Sequence, residues 1–268
     1  MTNYLHKVLP PQYSHVNKVY CLLAATVFCA LPLCSTEAAA ENILKYDGTT
    51  NIHGNAKTWA AKNEYDGIDI RVTGVDGGYY TDTTEALVLN NQTLNVKGKG
   101  KFVSIINTAQ NKQIDNNGGI YAKGGSTVNF TDVDSIYIAA IAGKEGGNDS
   151  TVISAKDPGR DFKGYTNIVN ISGNTVQLIG SIDVMHSLGS VFFNRNARHT
   201  VNAALSGSDS FWYGSAIGET DERTTVNLSL ADGATWIFNA GKSTLNAGGI
   251  IRNLKLDKGV VLFADAEV

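Results

Sequence analysis

Thr224–Leu230 reads TTVNLSL, and its centre, Val226-Asn227-Leu228, returns along the chain. The same order, an aliphatic residue, then Asn, then an apolar residue, stands at Leu94-Asn95-Val96, Val128-Asn129-Phe130, Val169-Asn170-Ile171, Val201-Asn202-Ala203 and Leu245-Asn246-Ala247. A Thr or Ser often precedes it, as in Ser126-Thr127 and Ser243-Thr244. Side chains alternate across a strand, so each copy sends two apolar residues to one face and its Asn to the other. Shorter runs alternate likewise: Ile68, Ile70 and Val72, then Ile136 and Ile138, then Ile182 and Val184, then Leu254 and Leu256. Gly, Asn and Asp clusters such as Asp76-Gly77-Gly78, Asn116-Asn117-Gly118-Gly119 and Gly146-Gly147-Asn148-Asp149 separate them. These residues tolerate the positive φ of tight turns. Short alternating strands with frequent turns mean an all-β fold.

A β-sandwich does not need a recurring local motif, whereas a solenoid does. One coil cannot bury its apolar face alone and must stack on the next, about 4.8 Å away. Stacked Val128, Val169, Val201 and Val226 would then form an interior ladder. The Asn residues would share hydrogen bonds in a row outside or at a corner, as Asn ladders do in stacked sheets. Insertions between motifs become loops, which accounts for the uneven spacing. The chain carries 268 residues, enough for a substantial core. After the N-terminal region the only proline is Pro158, as suits strands paired on both edges. The expected fold is a right-handed parallel β-helix. At roughly twenty residues per coil it would have about ten coils and a length of about 50 Å.

The N-terminus reads as an address. Val19–Cys34 (VYCLLAATVFCALPLC) is apolar and uncharged, Lys7 and Lys18 precede it, and Ala38, Ala39 and Ala40 follow. A positive region, an apolar core and a small-residue site make a secretory signal peptide. The apolar run is shorter than the roughly 20 residues of a spanning helix. Cleavage is expected between Ala40 and Glu41, giving residues 1–40 as signal and 41–268 as the mature segment. A lipoprotein reading fits less well, because Cys34 follows Leu33 rather than a small residue. All three cysteines, Cys21, Cys29 and Cys34, lie in the signal. A cysteine-free remainder suits a chain that stays unfolded through an oxidising compartment.

Thr224–Phe263 (TTVNLSLADGATWIFNAGKSTLNAGGIIRNLKLDKGVVLF) resembles the repeats of autotransporter passenger domains of the pertactin-like and diffuse-adherence-adhesin type. The matching residues are Leu228, Leu230, Asp232-Gly233, Trp236, Gly241, Ser243, Asn253-Leu254-Lys255-Leu256 and Gly259, and Gly118–Ile138 has the same style. The resemblance implies a non-catalytic β-helical passenger at the cell surface, brought there by an outer-membrane β-barrel translocator. Adhesion or cell contact is the implied role, with host glycans or surface proteins as partners. No run of amphipathic barrel strands with aromatic girdles is present. The expectation is therefore a segment incomplete at its C-terminus: a fragment, a truncated product or half of a split system. A polysaccharide lyase or hydrolase on the same fold, and a structural surface protein without a specific ligand, are the alternatives.

Candidate chemistry is sparse. β-Helical enzymes acting on acidic sugars need neighbouring carboxylates. Asp132 and Asp134 would share a strand face about 7 Å apart, although a solvated outer face explains them more simply. Asp66 with Asp69, and Asp157 with Asp161, are weaker pairs. Ser206-Gly207-Ser208-Asp209-Ser210 carries the letters of a serine-protease nucleophile loop in the wrong order, and no spacing joins His186 or His199 to a Ser. Gly241-Lys242-Ser243-Thr244 mimics the end of a phosphate loop, but the required earlier Gly falls at Trp236. His53, His186 and His199 show no metal spacing. No cofactor is implied. The net charge of -3, without a basic stripe, argues against nucleic acid. Tyr79, Tyr80 and Trp212, the last within Phe211-Trp212-Tyr213, are candidate surface contacts for a glycan or protein.

Overall fold

The computed structural model describes residues 42–51, 62–76, 84–109, 117–141, 150–156, 164–184, 197–218, 223–239 and 251–263. Contacts divide the chain into Met1–Ala40 and Glu41–Val268, and all described residues belong to the second unit. Every regular element among them is a strand. In chain order these are β1 (Ile43–Asn51), β2 (Gly67–Asp76), β3 (Thr84–Asn90), β4 (Thr93–Lys97), β5 (Phe102–Ala109), β6 (Asn117–Lys123), β7 (Thr127–Ile141), β8 (Thr151–Ala155) and β9 (Thr166–Ile179). They continue with β10 (Ser181–Asp183), β11 (Arg198–Ser206), β12 (Phe211–Gly214), β13 (Ala216–Ile217), β14 (Thr224–Ala231), β15 (Thr235–Phe238), β16 (Asn253–Asp257) and β17 (Val260–Phe263).

The strands form two sheets, and every strand pair among the described residues is parallel. The larger sheet follows the order β1-β2-β5-β7-β9-β11-β14-β16, with β4, β12, β15 and β17 off this path, and the smaller follows β3-β6-β8-β10-β13. The long strands β7 and β9 serve two rows at once. Thr127–Thr131 of β7 pairs with β4, and Phe102–Thr108 of β5 pairs with Ser135–Ile141. The bend falls at Asp132, where φ is 59° and the register against β9 shifts. Gly173 of β9 lies opposite Val133, and a Cβ there would stand 2.8 Å from the Val133 carbonyl oxygen. Other layers make the same corner with short turns at Gly98, Gly207, Asp232-Gly233 and Lys258, all at positive φ. Backbone bonds tie the corners together, including Gly98 N–H to Thr131 O (3.1 Å) and Asp232 N–H to Asp257 O (3.0 Å).

Parallel register stacks like on like. Leu94, Val128, Val169, Val201 and Val226 form one interior column, each fully buried. A second runs Tyr46, Ile70, Ile105, Ile138, Leu178, Trp212, Trp236 and Val261. In the smaller sheet Leu87, Ile120, Ile153, Ile182 and Ala216 align. Burying a Val, Leu or Ile side chain contributes about 1.5–3 kcal/mol, so these columns supply the main cohesion between layers.

Two expectations are corrected. Equivalent asparagines return after 34, 41, 32, 25 and 26 residues, not after about twenty, and the longest column among the described residues has eight members against the expected ten or so. Between Asn129 and Asn170, and again between Asn170 and Asn202, the chain passes through both rows of the larger sheet and through the smaller sheet, which takes more chain than one strand and a turn. Asn253 joins the series through its bond to Asn227, and Asn246 lies outside the described residues. Leu254, Leu256, Val260, Leu262 and Phe263 on the last two strands are exposed, since β16 and β17 each pair on one side only among the described residues.

Candidate functional site

The outer face of β4, β7, β9, β11, β14 and β16 is the most ordered polar surface of the described residues. Its centre is a row of six side-chain amides. Asn129 Nδ2 donates to Asn95 Oδ1 at 2.8 Å, Asn170 to Asn129 at 2.8 Å, and Asn202 to Asn170 at 2.7 Å. Asn227 donates to Asn202 at 2.6 Å, and Asn253 to Asn227 at 2.7 Å. The row begins where Asn95 Nδ2 donates to the Asn63 carbonyl at 2.9 Å. All six bonds point the same way, so each amide polarises the next. The parallel register places every Asn directly over its counterpart, the geometry such a chain of bonds requires.

A column of smaller residues, Ser172, Ala204 and Ser229, runs beside the amides and ends at Lys255, with Thr131 lining the same groove. Ala204 is exposed, and the other members of that column before Lys255 are half-buried. The two columns line a shallow open groove that crosses the strands, with Asn170, Asn202, Asn227 and Asn253 along it. An amide group has two N–H donors and two acceptor lone pairs. The ladder uses one of each at Asn170, Asn202 and Asn227, leaving one donor and one acceptor per layer. Among the described residues, Lys255 is the only charged one lining the groove.

A separate polar knot ties the two sheets. Asn167 is fully buried. Its Oδ1 accepts from the backbone N–H groups of Gly125 and Ser126 at 2.9 and 3.0 Å. Its Nδ2 lies 3.1 Å from His199 Nδ1. Because the amide nitrogen can only donate, His199 Nδ1 accepts and the ring proton sits on Nε2. On the smaller sheet, Lys156 Nζ lies 2.7 Å from Asp183 Oδ2. Burial pulls the Lys156 ammonium down, but the Asp183 carboxylate and hydrogen bond, with Glu85 beyond, outweigh it and hold its pKa above the ordinary value. Spacing in the sequence offers no signal for either cluster, since their members come from different strands.

The predicted site residues scatter. Trp212 is fully buried and donates from Nε1 to the Gly180 carbonyl at 2.9 Å, so it is a core residue and not a surface contact. Of the two facings open to the aromatic triplet, the inward one prevails because Trp212 continues the Ile138–Leu178 column. Asp132 and Asp134 both point outward on either side of buried Val133, at the corner made by the positive φ of Asp132. The Asp132 backbone N–H donates to Ser172 Oγ, while the Asp134 carboxylate accepts from Gly100 N–H at 3.1 Å and from Asn174 Nδ2 at 3.4 Å. These are corner bonds. Ser210, of the protease-like letters, donates to Ser206 O and accepts from Val176 N–H, bracing another corner. Asp66 pairs with Lys101 at 3.1 Å rather than with Asp69. Among the described residues no group of three His, Cys, Asp or Glu side chains could hold a metal. Tyr79, Tyr80, Ala40, Glu41, His53, His186, Asp157 and Asp161 lie outside the described residues.

No family model matches the chain, and neither a curated protein nor a solved structure matches it.

Proposed function

We propose that the mature segment is a right-handed parallel β-helix and that it acts as a non-catalytic passenger at a bacterial cell surface, in adhesion or cell contact. The observation that carries the fold half is the in-register stack of Val128, Val169, Val201 and Val226 with the amide row beside it. Strands that pair in parallel with the next chain return are what a continuous spiral requires. The functional half rests on the signal-like N-terminus and on the passenger-like repeat texture of Thr224–Phe263. An outer-membrane β-barrel translocator would deliver the chain. Contact would come from outward side chains repeated layer upon layer, so that weak bonds add. The Asp134 carboxylate is engaged by Gly100 N–H and Asn174 Nδ2 at a corner, which favours a structural use of that carboxylate and a binding role over glycan cleavage.

The test is labelling of intact source cells with a membrane-impermeant amine reagent, followed by a cell-binding assay. Labelling of Lys255 on whole cells, and saturable attachment lost on deletion of the chain, are expected. Labelling only after the outer membrane is opened would sink the reading.

A further inference from the structure

We infer that the groove beside the amide row binds an uncharged, extended sugar chain, one hexose per layer, lying across the strands. This rests on the binding role proposed above and specifies its ligand. Three observations carry it. The first is direction: the groove is lined by β7, β9, β11, β14 and β16 in succession, so a ligand along it runs perpendicular to the strands and lies on their faces. A peptide adding as a strand is therefore excluded from this face.

The second is spacing. Layers recur at about 4.8 Å, a step close to the length of one hexose ring in an extended chain, whose alternate rings are flipped so that the same hydroxyls return every second layer. An extended peptide advances by about 3.3 Å per residue, with side chains repeating every second residue, and falls out of step within a few layers.

The third is chemistry. The exposed lining of the groove is mostly carbon, which suits the C–H face of a sugar ring, while each of the Asn170, Asn202 and Asn227 amides keeps one donor and one acceptor outside the ladder and Ser172 and Ser229 add hydroxyls at its side. Sugar hydroxyls need such paired partners. The sole charge among the described lining residues, Lys255 at one end, gives little hold on a polyanion such as a uronate polymer or nucleic acid. The small Ala204 leaves room for a ring. The ladder holds every amide in one rotamer before a ligand arrives, which lowers the ordering cost of binding.

The experiment titrates the full chain with cellohexaose, chitohexaose and hexagalacturonate, followed by saturation-transfer NMR. The variant A204I/S229V fills the groove with β-branched side chains suited to a strand and leaves the amide row intact. Thr200→Ile, on the other side of the row, is the control. Saturable binding of at least one neutral hexamer, weakened ten-fold or more in A204I/S229V and unchanged in Thr200→Ile, is the expected result. Absence of saturable binding to both neutral hexamers overturns the inference, as does equal binding by A204I/S229V or preference for hexagalacturonate. Far-UV circular dichroism matching the parent shows that the variants fold. Surface labelling and attachment to cells, measured separately, would persist if the sugar inference alone failed.

Discussion

Trp212 and Trp236 stack with ring centroids 5.1 Å apart and planes 9° from parallel, one layer above the other. Each indole also donates to a backbone carbonyl one layer back: Trp212 to Gly180 and Trp236 to Gly214, at 2.9 and 3.1 Å. Phe238 meets Trp236 edge-on at 5.5 Å. Removing the buried ring in Trp212→Ala is expected to cost about 3–5 kcal/mol. Trp236→Phe, which keeps a ring but loses the N–H donor, should cost about 1–2 kcal/mol. Urea unfolding would check both, and equal losses for the two variants would contradict the assignment of a separate hydrogen-bond contribution.

The amide row makes a positional prediction. Asn202 has a ladder bond on each side, whereas Asn253 has one. At about 1 kcal/mol net per bond, Asn202→Ala should destabilise by about 2 kcal/mol and Asn253→Ala by about 1 kcal/mol or less. A double-mutant cycle on Asn170 and Asn202 should show coupling, and one on Asn95 and Asn227 should be additive within about 0.5 kcal/mol.

Lys156 and Asp183 provide a pH test. The raised pKa of Lys156 means that its ion pair contributes fully below the ordinary lysine value of 10.5 and is lost as pH climbs beyond it. About a third of the Lys156 side chain meets solvent, so Lys156→Met should cost only about 1–3 kcal/mol at pH 8. The gap between parent and variant should close above pH 10.5. A gap that widens at pH 11, measured by urea midpoints, would contradict the pairing.

Asp132 holds φ at 59° without being glycine. Asp132→Gly should stabilise by about 0.5–1 kcal/mol or leave stability unchanged, and Asp132→Val should destabilise by more than 1 kcal/mol. Thermal melts would register the difference. If both variants behaved alike, the corner would not depend on that backbone angle.

Asn167 is expected to be less replaceable than any outer amide. Asn167→Leu would leave the Gly125 and Ser126 N–H groups without their acceptor in a buried place, at about 1–3 kcal/mol each. Hydrogen exchange at those two amides should accelerate more than at Gly207, whose own backbone bond to Ala231 O is remote.

The columns and the amide row were legible because strand alternation has a period of two and parallel stacking repeats the same letters. Val128 and Asn129 announce their neighbours in this way. The length of each layer was not legible, since the segments flanking the smaller sheet carry the variation and follow no pattern. The longest return, from Asn129 to Asn170, contains both 142–149 and 157–163. Leu245-Asn246-Ala247 copies the motif letter for letter, yet the row continues at Asn253, preceded by Arg252 where the other copies have an aliphatic residue. Local letters cannot specify register; the stack on Leu228 and Leu230 does, through Leu254 and Leu256. The Asp132 corner was hidden because neither flanking residue is glycine or proline. Its twin in the next layer, Gly173, stands inside an unbroken strand pattern.

The wholly parallel pairing sets how this chain can acquire its structure. Leu44 must wait for Ile68, and Val128 for Val169, so among the described residues no strand pair is a tight hairpin that could form early and seed the rest. Each contact closes a sizeable loop before any reward arrives, which places folding in the millisecond-to-second range or slower. A newly made chain therefore has a long interval in which it is still thread-like. A continuous spiral of the kind proposed, pulled from either end, would surrender one layer at a time, as a zipper does, instead of resisting until it fails at once.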